Sequence, residues 1–112
     1  MDLTIERYNH TLHFPGTWPL FLGWFTEVNE CTTMCNLVNV TLEDGNTLVL
    51  SELEKWAISR QNCFKIARDA QTNEIIGFIE YNLIADAGIM VESLYIVPEM
   101  RYNGVSRAFL SS

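Results

Sequence analysis

The 112 residues supply enough chain for one domain with a modest core, and they exclude two independent ones. Apolar residues make up 48% and charged residues 19%, which excludes the composition of a disordered chain. With 14 acidic against 7 basic residues the formal charge is −7, which argues against a nucleic-acid binder coating phosphates with Lys and Arg and leaves room for an acidic face meeting a basic partner.

Leu3, Ile5 and Arg7 alternate with Thr4, Glu6 and Tyr8, a period of two that predicts a strand over residues 2–8. The uncharged stretch from Tyr8 to Thr26 contains Pro15, Gly16, Pro19 and Gly23. It does not read as a membrane span, which needs roughly 20 mostly apolar residues, nor as a signal peptide, which needs a basic start where Asp2 and Glu6 stand. A cytoplasmic location is the expectation. Pro15-Gly16 predicts a turn, and Thr17 caps a first helix whose first turn tolerates Pro19. Phe21, Trp24, Phe25, Val28, Cys31, Cys35 and Val38 then recur at helical steps as one apolar face.

Three cysteines without repeated spacing imply no disulfide framework and a reducing compartment. Cys31 and Cys35 with His10 and His13 could in principle close a tetrahedral zinc site. Their spacing fits no common finger and both cysteines continue the apolar face, so core cysteines and no metal are expected. The aromatic group Trp18, Phe21, Trp24 and Phe25 reads as core. Cys63 has no His partner nearby in sequence, which argues against a nucleophile.

Val38–Leu42 and Thr47–Leu50 flank Asp44-Gly45, either as a hairpin or as a loop between helices. Ser51 and Glu54 form a capping box, predicting a second helix over residues 52–61 with Leu53, Trp56 and Ala57 buried. Phe64–Arg68, Ile75–Leu83 and Ile89–Val97, separated by turns at 69–74 and 86–88, predict three strands in meander order. The last mixes Ile89, Val91, Leu94 and Ile96 with Met90, Tyr95 and Val97, apolar on both faces, and so reads as a central strand. Pro98 ends it. A turn through Arg101–Gly104 leads into a short helix from Val105 to about Leu110.

That last segment suits anion binding: glycine permits a sharp turn and close approach, while unpaired N–H groups and the positive end of a helix favour phosphate. Three runs carry a wider pattern: Ile75-Ile76-Gly77-Phe78-Ile79-Glu80-Tyr81, then Val91 to Arg101, then Gly104-Val105-Ser106-Arg107-Ala108-Phe109-Leu110. Together, over about residues 62–110, they resemble the central motif of the GNAT superfamily of acetyl-CoA-dependent N-acetyltransferases, a strand ending in a hydrophobic-hydrophobic-x-Pro pattern followed by an Arg/Gln-x-x-Gly-x-Gly/Ala loop and a helix. The strand-helix-helix order of Leu3 to Arg60 agrees with that family.

The resemblance implies an α/β fold, a mostly antiparallel sheet with helices on both faces, here ending after the third helix as a single GNAT-like domain over residues 1–112. It implies that the backbone of Arg101, Tyr102, Asn103, Gly104, Val105, Ser106 and Arg107 holds the pyrophosphate of acetyl-CoA, with Arg107 adding charge. Leu94, Tyr95 and Ile96 would bind the pantetheine arm through main-chain groups, like an added strand. Ser106 stands where the family has Gly or Ala. Family members continue into further strands and helices that complete the cofactor cleft. The expectation is therefore a homo-oligomer or partner chain along the edge of residues 89–97.

Acetyl transfer to an amine needs a base, an oxyanion donor and an acid for the departing thiolate. Glu92 is the first candidate base and Glu80 the second, against a plain reading of Glu92 as a solvated or Arg-paired carboxylate. Tyr95 is the candidate acid, with Tyr81 behind it; packed rings are the competing reading of both. Two functions follow: an acetyl-CoA-dependent N-acetyltransferase completed by a second subunit, or a catalytically inactive GNAT-like binding protein, of phage or mobile-element type, working through protein contacts.

Overall fold

The computed structural model describes residues 2–28, 48–84, 86 and 88–111. Strands β1 (Leu3–Arg7), β2 (Phe64–Asp69), β3 (Ile75–Ile84) and β4 (Gly88–Ile96) form an antiparallel sheet in the order β1-β2-β3-β4. Helices α1 (His10–Val28) and α2 (Leu48–Ser59) pack on one face and α3 (Val105–Ser111) on the other. The α/β architecture with helices on both faces is as expected. All four strands and α3 lie within a residue of their predicted bounds, because turn residues such as Asn73 (φ 64°) and Asp86 (φ 65°) punctuate them.

Two cores result. On the α1/α2 face Phe21 is fully buried, with ring centroids 4.7 Å from Phe78, 5.1 Å from Phe64 and 5.2 Å from Trp56. Burying such a ring stabilises by roughly 1.5–3 kcal/mol. Leu20, Phe25, Leu53 and Ala57 complete this core, Trp24 packs against it, and Trp18 is half-buried. The thinner core on the opposite face joins Ala67, Ile76, Ile79 and Ile96 to Val105 and Phe109.

Four expectations need correction. Helix α1 starts at His10 rather than at Thr17, and Pro15 and Pro19 lie inside it. Asn9 caps it: its Oδ1 accepts the N–H of Leu12 at 3.1 Å, while His13 Nδ1 accepts the N–H of Asn9 at 2.7 Å. Proline removes the donors that would meet the carbonyls of Thr11 and Pro15, but Thr11, Pro15 and Pro19 recur every four residues on the exposed side, where solvent can satisfy a carbonyl that lacks its helical partner. Thr17, expected as a cap, is buried instead and donates its hydroxyl to the His13 carbonyl at 2.7 Å.

Helix α2 starts at Leu48 rather than at 52, so Ser51 and Glu54 lie within the helix and do not cap its start. Glu54 instead meets His10 Nε2 at 3.2 Å. The helical Leu48–Leu50 also removes the second half of the hairpin option. Its first half, Val38–Leu42, and Cys31, Cys35 and Val38 fall outside the described residues.

Lastly, β4 is not a central strand. Among the described residues it pairs with β3 alone, and Ile89, Met90, Val91 and Leu94 are exposed. The pairing of β3 with β2 stops at Glu80↔Phe64, so the far end of the β3–β4 hairpin projects beyond the sheet as a two-stranded arm.

Candidate functional site

The register between β3 and β4 shifts at Glu80/Tyr81: Ser93 faces Glu80 and Val91 faces Tyr81, leaving Glu92 as the extra residue of a bulge. Beyond it, Val97 N–H donates to Ile76 C=O at 2.9 Å. Antiparallel alternation then turns the main-chain groups of Leu94 and Ile96 away from β3, toward the open edge. Met100 N–H and Arg101 N–H donate back to Val97 and Pro98 carbonyls, folding the chain sharply after the strand.

This fold-back brings Arg101 over the end of β4. Its Nε donates to the Ile96 carbonyl at 2.8 Å, its guanidinium lies 5.3 Å from the Tyr95 ring centroid, and Nη2 meets Glu27 Oε2 of α1 at 2.6 Å. Tyr95 stacks on Phe78 with centroids 6.4 Å apart. The helix must come very close here: a Cβ on Gly23 would lie 2.6 Å from the Tyr95 hydroxyl. Burial raises the Tyr95 pKa, and Glu27 adds to the rise, so the phenol stays protonated as a donor at neutral pH.

Between the end of β4 and the following turn lies a cleft of about 340 Å³, lined by Glu27, Leu94, Tyr95, Ile96, Arg101, Tyr102, Gly104, Val105 and Ser106. It gathers the anticipated cofactor residues except Asn103 and Arg107, both of which are exposed, Arg107 on the solvent side of α3. Gly104 holds φ 84°, a left-handed conformation that glycine adopts without strain. Ala108 N–H bonds the Gly104 carbonyl, leaving Val105, Ser106 and Arg107 N–H as the first-turn donors without intrahelical acceptors. Arg101 N–H, by contrast, is committed to Pro98, so its side chain is what it offers the cleft. Helix α3 is about two turns long, and local N–H groups matter more here than a summed dipole.

Tyr95, the first candidate acid, lines the cleft, whereas the other candidate acids and bases sit elsewhere along β3 and β4. Glu80 is buried, with Arg60 Nη1 at 3.0 and 3.2 Å from its two oxygens and the Ser93 hydroxyl donating at 2.8 Å. Glu92 is exposed and accepts from Asn82 Nδ2 at 3.2 Å. Tyr81 is half-buried beneath Lys65, whose Nζ lies 5.4 Å from its ring centroid. Sequence reasoning missed Glu27: its contact spans 74 positions, and no local pattern announces it. Cys63 donates to Asn82 Oδ1 at 3.3 Å, away from the cleft lining.

No family model and no curated protein matches the sequence. Among solved structures it is similar to N-acetylglutamate synthase from Neisseria gonorrhoeae complexed with coenzyme A and N-acetyl-glutamate, with TM-score 0.62 and 11% identity. The chain has a GNAT-like fold. The match covers 99% of this chain and 21% of the synthase chain, so the GNAT-like unit spans about a fifth of that protein's length.

Proposed function

We propose that the cleft at the end of β4 binds acetyl-CoA and that this GNAT-like chain serves N-acetyl transfer to an amine. The observation carrying the reading is the convergence, in one cleft, of an open strand edge at Leu94, a cationic Arg101 and the first-turn residues Val105 and Ser106 with their free N–H groups. Those groups suit the cofactor chemically. An extended amide-bearing arm can pair with a strand edge, and a pyrophosphate can accept from clustered N–H groups and a guanidinium. A similar fold is seen in a synthase complexed with coenzyme A, which supports the assignment.

Acetyl-CoA supplies an activated acyl group on sulfur. For the chain's part, Leu94 orients the arm through its main chain, and Tyr95, kept protonated by burial, donates a proton to the departing sulfur. Glu92 accepts the amine proton through water, since its carboxylate is exposed at the bulge.

A binding protein without turnover is the second reading, and a specific observation favours it. Glu80 is buried and tied into an ion pair with the half-exposed Arg60, Glu92 is exposed, and the Ile96 carbonyl on the strand edge is already taken by Arg101. Both readings fit a GNAT-like scaffold, and in both a second subunit or partner chain along residues 89–97 would cover the exposed edge.

Calorimetry with acetyl-CoA tests the proposal, using Gly104→Trp as the blocked variant. A Cβ at Gly104 meets nothing within 4 Å, so the ring does not clash, while the φ of 84° means that any side chain there also strains the turn. Ligand at about 1,000 times Kd should stabilise the wild type by about 4 kcal/mol. No heat and no thermal shift at millimolar ligand sinks the cofactor assignment. Binding without acetylation of any amine supports the second reading.

A further inference from the structure

The charged residues lining the cleft are Arg101 and Glu27, and they are paired with each other. An anionic ligand entering between them therefore meets a guanidinium whose charge is already balanced by a carboxylate. Arg101 keeps two other anchors, the Ile96 carbonyl and the Tyr95 ring, neither of which neutralises it. Glu27 sits in the last turn of α1, and its carboxylate is half-exposed, so this contact is the solvent-facing, exchangeable one of the three. Phosphate oxygens compete well for a guanidinium, since they carry more charge and can accept from two N–H groups together.

We infer that Glu27 is an internal anion seated on Arg101, and that a phosphate-bearing ligand takes its place on the guanidinium, detaching the end of α1 from β4. The inference rests on the reading that the cleft receives such a ligand. Ligand and Glu27 then compete for one cation, and each lowers the other's hold by the same factor. Glu27 is thus a determinant of ligand affinity that lies outside the loop motif. Arg101 becomes the point where occupancy of the cleft is passed to α1.

Coenzyme A titrated calorimetrically into wild type, Glu27→Gln and Glu99→Gln tests this. Glu99→Gln removes an equal charge two residues from Arg101. Glu27→Gln should bind about fivefold more tightly at low salt, as expected for loss of one exposed competing ion pair, with the gap closing as salt rises. Glu99→Gln should change affinity by much less. If wild type binds and Glu27→Gln binds equally or more weakly, the exchange is wrong while the cofactor reading stands. An equal gain in Glu99→Gln reduces the effect to general repulsion and also overturns it. If no protein binds at millimolar coenzyme A, the cofactor reading fails and the exchange with it. A second readout needs no variant: the Glu27 carboxyl carbon and Arg101 Nε–H resonances of the wild type must both move on saturation, and unmoved signals contradict the exchange.

Discussion

From Ser93 to Ile96, β4 is held by β3, by α1 through Gly23 and by the Arg101 side chain, whereas from Gly88 to Val91 the same strand bonds β3 and presents Ile89, Met90 and Val91 to solvent. The two halves are about equally apolar in sequence. Their burial differs because α1 packs on one half and not the other, and because β2 backs β3 only as far as Glu80, opposite Ser93. A two-stranded ribbon is marginal in water by itself, so the projecting arm should be the locally less stable unit and the cleft end the rigid one. A site needs side chains fixed from several elements, and of the two halves of β4 it is the cleft end that meets α1 and the turn before α3.

Substitutions along β3 should break this contrast most visibly. Phe78→Ala, beneath Tyr95 and fully buried, should cost about 3–5 kcal/mol in urea unfolding, while Leu83→Ala, 76% exposed on the arm of the same strand, should stay within about 0.5 kcal/mol. Similar costs at both sites would mean the arm is covered in solution. Gly23→Ala should cost about 2 kcal/mol, because its Cβ overlaps the Tyr95 hydroxyl, and the cost should shrink in a Tyr95→Leu background. Additive effects would show that α1 does not clamp Tyr95.

Tyr102 holds φ 68° and is fully exposed beside the cleft, so Tyr102→Gly should raise stability by about 1 kcal/mol by relieving left-handed strain. A weaker effect, spread over pH, comes from the helix that clamps the cleft end. Burial lowers the His13 pKa despite the opposing pull of Glu6, and Arg68 lowers it further. The folded value thus lies below the unfolded one near 6.5, and the unfolded chain takes up protons first as pH falls. The stabilisation is complete above about pH 6.5 and is lost as pH drops through the folded value, when a proton on Nδ1 would also remove the Asn9 bond. Urea midpoints between pH 8 and 5 should fall more steeply in wild type than in His13→Gln.

Much of the sheet was legible because its signals are local: period-two alternation in Leu3–Tyr8 and turn residues at 69–74 and 86–88 place strands without reference to the rest of the chain. The start of α1 was not. Pro15 and Pro19 are breakers unless their side of the helix faces water, and that is a property of packing. Ser51 and Glu54 have the spacing of a cap wherever they occur, and only the upstream turn from Leu48 shows them to be interior. Within the cleft, the turn and strand edge followed from the motif, while Glu27 depended on a contact between the first helix and the end of β4.

Hydrogen exchange of amides with and without coenzyme A tests the division of β4 most directly. Leu94, Ile96 and Val105–Arg107 should gain protection on ligand addition, while residues 88–91 exchange quickly and unchanged in both states. Protection confined to residues 88–91, or none at the cleft with coenzyme A at millimolar concentration, would contradict the placement of the site.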